Sequence, residues 1–205
     1  MSNEHKALTP LDILLGDRRI VLGSASPRRI ALLSELFSSV EIRPAHIDEN
    51  YDPSMDPHCV PEFLSKAKAA DILPTLGTGE ILVTADTVVI LEGELIGKPL
   101  DREHAHHILE RLSGHTHTVV TGYALTDVAR QVSGSVQSYI TFAGLTEEEI
   151  TYYLDHYQVM DKAGAYGVQE WIGLVGVSEI QGSYHNIMGL PTAALYRELK
   201  IFLQS

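Results

Sequence analysis

The run at residues 81–91 constrains this chain most. It reads Ile-Leu-Val-Thr-Ala-Asp-Thr-Val-Val-Ile-Leu, and Glu92-Gly93-Glu94 turns it back as a hairpin through residues 95–97. Asp86 stands in the middle of it. A carboxylate in an apolar strand costs several kcal/mol unless it is paired or bound to a metal. Whatever fold forms must deliver a strong partner to Asp86. A structural salt bridge to lysine or arginine meets that demand, and so does a catalytic or metal-binding site.

The rest of the pattern mixes helices and strands. Residues 19–24 read as a short apolar strand, followed by a helix over 27–37. A second short strand surrounds 40–43. Prolines and polar residues make 47–61 a long loop. Prolines at both ends bound a helix over 61–73. Asp101 caps a helix that stops near Gly114. Residues 115–128 and 131–142 read as an antiparallel pair. Thr146-Glu147-Glu148-Glu149 is a capping box that opens a helix to about 157. The pattern predicts a strand over 168–177 and a last helix over 190–203. The class is α/β (mixed α+β) around a mixed sheet, without the regular alternation of a Rossmann fold. Residues 1–17 read as an N-terminal extension, a helical or frayed leader, to a single domain over 18–205.

Composition narrows the function. The 205 residues are 44% apolar and carry a net charge of −12. That balance suits a folded domain and speaks against a coat on a nucleic-acid polymer, which needs a basic surface. It leaves room for a small anion held by a local basic cluster. No apolar run approaches the roughly 18 residues that a bilayer span needs. Glu4, Asp12 and Asp17 argue against a secretory signal. Cys59 is the single cysteine, so no internal disulfide forms and a cytoplasmic setting fits. Its surroundings mark no activated nucleophile.

Several segments carry chemistry. Gly23-Ser24-Ala25-Ser26-Pro27-Arg28-Arg29 lies between a strand and a helix, with Ser26 at the N-cap and Pro27 first in the helix. Arg28 and Arg29 then oppose the helix macrodipole. A phosphate chain would offset both, and so would acids of the long loop. Asp48 and Glu49 in that loop are solvated acids or, beside Asp86, an oxygen-rich site for Mg²⁺ or Mn²⁺. Lys98 projects from Gly97-Lys98-Pro99, and Lys66 and Lys68 add charge on the helix after the loop. The segment 161–169, Asp-Lys-Ala-Gly-Ala-Tyr-Gly-Val-Gln, allows close backbone approach, and its Gln169 offers a donor and an acceptor to a base edge. It also fits a plain tight turn. Residues 182–191, Gly-Ser-Tyr-His-Asn-Ile-Met-Gly-Leu-Pro, form another turn before the last helix. The run His104, His106, His107, His115 and His117 reads as partly exposed histidines rather than a zinc site.

Taken together and in this order, Leu-Gly-Ser-Ala-Ser-Pro-Arg-Arg (22–29), Asp-Glu (48–49), Ala-Asp-Thr-Val-Val (85–89), Gly-Lys-Pro (97–99) and the two later segments resemble the Maf family of nucleoside triphosphate pyrophosphatases. The resemblance runs from about residue 20 to 199. It implies a highly twisted central mixed sheet flanked by helices, with a cleft between two lobes, similar to inosine triphosphate pyrophosphatase. It implies hydrolysis of a nucleoside triphosphate to the monophosphate and diphosphate, with Mg²⁺, Mn²⁺ or Co²⁺ held by Asp86 and Glu49. It makes Asp86 the proton acceptor and assigns Ser26, Arg29, Lys66 and Lys98 to the phosphates or to catalysis. Arg28, Thr87 and Gln169 match positions that mark the branch acting on dTTP and UTP, with modified pyrimidine nucleotides as further candidates. The alternatives are the branch acting on 7-methyl-GTP or another modified nucleotide, and a non-catalytic regulator of septum formation. A homodimer is a further implication. The chain departs from the branch after Gln169, where Glu170-Trp171-Ile172 stand in place of the usual glycines.

Overall fold

The computed structural model describes residues 7–204. Residues 1–6 of the expected leader lie outside the described residues. The remainder of the leader is helical: α1 (Pro10–Leu15) is opened by a Thr9–Asp12 capping box and buries Leu11 and Leu15. Asp12 also accepts from the Ser38 amide at 3.1 Å, which ties this helix to the end of α2 (Pro27–Leu36). The segment outside the family pattern is therefore part of the core.

The remaining elements are β1 (Arg19–Leu22), β2 (Glu41–Ile42), α3 (Val60–Ile72), β3 (Glu80–Leu91), β4 (Glu94–Ile96), α4 (Arg102–Leu112), β5 (Thr116–Thr126), β6 (Gln131–Phe142), α5 (Glu147–His156), α6 (Trp171–Gly176), β7 (Val177–Gln181), α7 (Tyr184–Ile187) and α8 (Thr192–Gln204). One mixed sheet runs β2-β1-β3-β5-β6-β7, with β4 paired to β3. Its β1–β2 and β1–β3 pairs are parallel and the others antiparallel. The hairpin and the long antiparallel pair thus form as their patterns predict.

The expected strand over 168–177 is instead helix α6 followed by β7. Within α6, Ile172 and Gly176 are buried four residues apart while Leu174 is 80% exposed. That is helical spacing, and it overrides the β-branched composition of a short apolar run.

The site is positioned by how β3 is covered. On one edge, β1 pairs with residues 80–83 and β4 with residues 89–91. Between them residues 84–88 have no strand partner on that edge, and Asp86 is at the centre of the gap. Val83 and Ala85 pack with α1, α2 and α8, while Val89 and Leu91 on the same face pack with α4, α5 and α6. Thr87 falls between these two cores, and the cleft opens there. The opposite face packs on α3 through Leu82, Val88 and Ile90. Gly122 of β5, opposite Asp86, lets α3 approach: an added Cβ would stand 2.2 Å from the Glu62 amide nitrogen.

Candidate active site

A cleft of about 560 Å³ lies over the gap in β3. Its lining includes Ser26, Arg28, Arg29, Glu49, Asp86, Thr87, Lys98 and Gln169, so eight of the nine residues that the resemblance assigns meet in one place. The ninth, Lys66, does not line it. Lys66 points outward, half-exposed, 3.6 Å from Glu62 one turn earlier on α3. The lysine of α3 that lines the cleft is Lys68.

Lys68 is the partner that Asp86 requires. Its ammonium lies 2.5 Å from Asp86 Oδ1 and 2.7 Å from Glu49 Oε1, with the lysine and aspartate side chains both about one-tenth exposed. Lys98 takes the other Glu49 oxygen at 3.1 Å. The charges thus alternate Asp86, Lys68, Glu49, Lys98. Burial pushes the Glu49 carboxyl up, but Lys68 and Lys98 outweigh it and hold it down to about 2. Asp48 does not line the cleft.

The other wall is the start of α2. Ser26 is the N-cap residue, yet its hydroxyl caps no amide, so the first N–H groups of the helix stay available. Ser24 does local work instead, accepting from the Ser26 amide at 3.2 Å and from Arg29 Nη1 at 3.4 Å. Arg29 also donates to the Gly189 carbonyl at 2.9 Å and to Thr87 Oγ1 at 3.1 Å. Thr87 donates to Thr121 Oγ1 at 2.9 Å, which donates to the Asn186 backbone carbonyl, so the guanidinium is fixed through the sheet. Arg28 reaches across the cleft to Asp161 Oδ2 at 3.1 Å. The two arginines at the positive end of α2 are therefore offset differently, Arg28 by direct contact with an acid and Arg29 by neutral oxygens together with the nearby charges of Asp86 and Glu49.

The segment 161–170 forms the far wall. Lys162 is buried, 3.3 Å from Asp161 and 3.2 Å from Glu170, and it lines the cleft. Sequence reading named Lys68 only as added charge beside Lys66, and it gave Lys162 no role of its own. Behind this wall His117 is 1% exposed, with Nε2 2.7 Å from the Tyr166 hydroxyl. The histidine run is thus not uniformly partly exposed: burial pushes the His117 imidazole down to about 4. Tyr166 itself lines the cleft. His106, Glu110 and Glu147 converge elsewhere, where α4 meets α5. In the last turn Ser183 caps α7, and fully buried Asn186 donates to Val119 and Ser138, so this segment pins the loop that carries Gly189.

Asp86 and Glu49 offer oxygen only, and they already share one cationic group, the Lys68 ammonium. Two carboxylates open to a cleft suit a hard divalent ion that keeps waters and takes further oxygens from a phosphate chain. Such an ion would compete with Lys68 for the same oxygens.

Comparison with known proteins gives the family. Proteins named dTTP/UTP pyrophosphatase are similar over most of their length. The one from Parabacteroides distasonis is 48% identical over 185 residues, 90% of this chain and 96% of its own. That from Bacteroides thetaiotaomicron is 49% identical over 183 residues, 89% and 95% of the two chains. A solved structure of a nucleoside-triphosphatase (dITP/XTP pyrophosphatase) from Mycobacterium abscessus matches with a TM-score of 0.39 at 16% identity, over 62% of this chain and 75% of that one. The model of the family described as Maf-like protein matches residues 19–202, and with it the chain belongs to the Maf family.

Proposed function

We propose that the chain is a nucleoside triphosphate diphosphatase that hydrolyses dTTP and UTP to the monophosphate and diphosphate. The observation that carries this reading is the gathering of Arg28, Arg29, Lys68, Lys98 and Lys162 around Asp86, in a chain whose net charge is −12. So many cations in one cleft suit a polyanion. The names of the similar proteins supply the base.

In this reading water attacks the α-phosphorus, the bond to the β-phosphate oxygen breaks, and diphosphate leaves. Asp86 accepts the proton of the attacking water. Lys68 moves from Asp86 towards the phosphates as the triphosphate enters. Lys98, Arg28 and Arg29 offset the charge that builds on the leaving diphosphate, the dominant contribution in phosphoryl transfer. Arg28 exchanges Asp161 for a phosphate oxygen. Glu49 and Asp86 would hold Mg²⁺, Mn²⁺ or Co²⁺. When bound, such an ion lowers the pKa of a coordinated water and withdraws charge from the phosphates. The setting is cytoplasmic, where the exposed lone thiol of Cys59 stays reduced, and the assembly is a homodimer, which sedimentation at assay concentration tests.

The deciding experiment measures diphosphate released from dTTP, UTP, CTP, 7-methyl-GTP and ITP with Mg²⁺, for the natural chain and for Asp86→Asn. The expected result is release from dTTP and UTP and its loss in the variant. Unchanged turnover by Asp86→Asn, or preference for a purine nucleotide, overturns the reading.

A further inference from the structure

The gap in β3 leaves main-chain groups, as well as side chains, facing the cleft. Along a strand the N–H and C=O of one residue point to one edge and those of the next residue to the other. The Val83 carbonyl accepts the Gly23 amide at 2.8 Å, so Val83 faces the β1 edge. Ala85, Thr87, Val89 and Leu91 then face the same edge. Leu91 and Glu94 close the Glu92-Gly93 turn, whose two residues both have positive φ, and Val89 pairs with Ile96, so β4 takes the last two. Ala85 and Thr87 are left over: among the described residues, their N–H and C=O groups have no partner on that edge.

Such groups cost free energy unless water or a ligand meets them. Ala85 is fully buried, whereas Thr87 lines the cleft. The two segments that flank the gap part here and carry cations away from the sheet. One runs from β1 through Gly23 and Ser26 to Arg28 and Arg29 of α2, and the other from β4 to Lys98. The Thr87 amide therefore lies in a bay of the sheet edge between two sets of cations, which suits an anion. The carbonyls of the same edge call for donors, and the lysines and arginines of the lining are donors only.

Asp86 fixes which oxygen the amide meets. Asp86 and Thr87 share a peptide unit, so their Cα atoms are about 3.8 Å apart. The Asp86 carboxylate points to Lys68 of α3, and the Thr87 hydroxyl points to Arg29 on the other face. The Thr87 N–H lies between them, along the edge. With Asp86 taking the proton of a water that attacks the α-phosphorus, the amide beside it belongs to that phosphorus and not to the diphosphate.

We propose that the unpaired edge of β3 is a catalytic part of the site: the Thr87 main-chain N–H donates to a non-bridging oxygen of the α-phosphate and stabilises its charge in the transition state. The inference rests on the reading of the cleft as a nucleoside triphosphate site. It gives the strand edge, and not only the side chains around it, a share in the rate.

The test replaces the Thr87 amide by an ester, with the α-hydroxy analogue of threonine incorporated at that position. This removes the N–H and keeps the side chain that holds Arg29. The same change at Leu91, whose N–H serves the hairpin, is the control. With dTTP and Mg²⁺ the ester at Thr87 should lower kcat by about a hundredfold with KM little changed, while the ester at Leu91 leaves kcat in place. The two diastereomers of dTTP that carry sulfur on the α-phosphate give a readout that a merely structural role does not move. Sulfur accepts a hydrogen bond poorly, so the natural chain should prefer the diastereomer that presents oxygen to Thr87. The ester at Thr87 should narrow that preference by about tenfold. An unchanged kcat, or a lower kcat with the same preference, overturns the proposal and leaves the pyrophosphatase reading standing. For an ester chain that does not fold, the natural chain decides. Solvent exchange of the Thr87 amide, followed with isotope-labelled threonine, should slow on binding a dTTP analogue with a methylene bridge between the α- and β-phosphorus, and unchanged exchange overturns the proposal. No turnover of dTTP or UTP by the natural chain overturns both.

Discussion

Lys68 and Lys66 stand two residues apart on α3 and face opposite environments. The buried stripe of the helix runs through Leu64, Ser65, Lys68, Ala69 and Ile72. Lys68 lies on it, and the helix carries its ammonium to Asp86. Removing it leaves two carboxylates in the cleft without their shared cation. Lys68→Ala should cut kcat/KM by about a hundredfold or more and destabilise the chain by about 3 kcal/mol. Lys66→Ala should change turnover by less than twofold and stability by less than about 0.5 kcal/mol. Steady-state kinetics and urea unfolding on both variants decide it, and equal losses would return the role to Lys66. Most of the site was legible at this scale because its residues sit in short ordered segments that resemble a family. The choice between the two lysines was also present in the sequence, since Lys68 continues the apolar stripe. A motif match by itself does not say which helix face is inward, and Lys162 was hidden because a turn has no period to read.

At the scale of elements, the site depends on how closely α3 lies on the sheet. Gly122 of β5 is the point of contact, with Pro61 and Glu62 backbone atoms 2.3 Å and 2.2 Å from where a Cβ would be. Backbone cannot move aside as a side chain can. Gly122→Ala should therefore lift the first turn of α3, cost about 1–3 kcal/mol, and lower turnover by shifting Lys68 away from Asp86. Gly144→Ala is the control, because nothing lies within 4 Å of its added Cβ. Urea unfolding and diphosphate release on the pair give the answer; a Gly122→Ala chain as stable and active as the control would show that α3 has room to spare. The long strands, the capped helices and the hairpin were legible because each has a strong period or a turn signal. The stretch 168–177 was not. Its apolar residues suit either period, and only burial of Ile172 and Gly176 with exposure of Leu174 separates them. The core role of α1 was equally hidden, since a helix of six residues shows little amphipathic pattern.

For the whole molecule, acidity sets two effects against each other. The net charge of −12 shrinks as pH falls towards a pI near 5.2, which relieves self-repulsion and favours the folded chain. Specific groups act in the other direction. His117 is buried with a pKa of about 4 against 6.5 in a free imidazole. The unfolded chain therefore takes up that proton first, so the contribution of His117 is full above 6.5 and is lost as pH falls from 6.5 to about 4. Its size is at most about 3 kcal/mol, larger than the relief from spreading a few surface charges. Glu49 follows. Its folded pKa of about 2 lies below the ordinary 4.5, so its contribution is present above 4.5 and disappears between 4.5 and about 2. The two windows overlap, and stability should fall continuously from pH 6.5 downwards instead of rising towards the pI. Urea unfolding at half-unit steps from pH 8 to 4 measures this. His117→Gln should flatten the curve above pH 5 while leaving the steeper loss below 4.5, because the Glu49 pairs with Lys68 and Lys98 are untouched. A natural chain most stable near its pI, or a His117→Gln chain with the same upper slope, would mean that diffuse surface charge outweighs the buried imidazole.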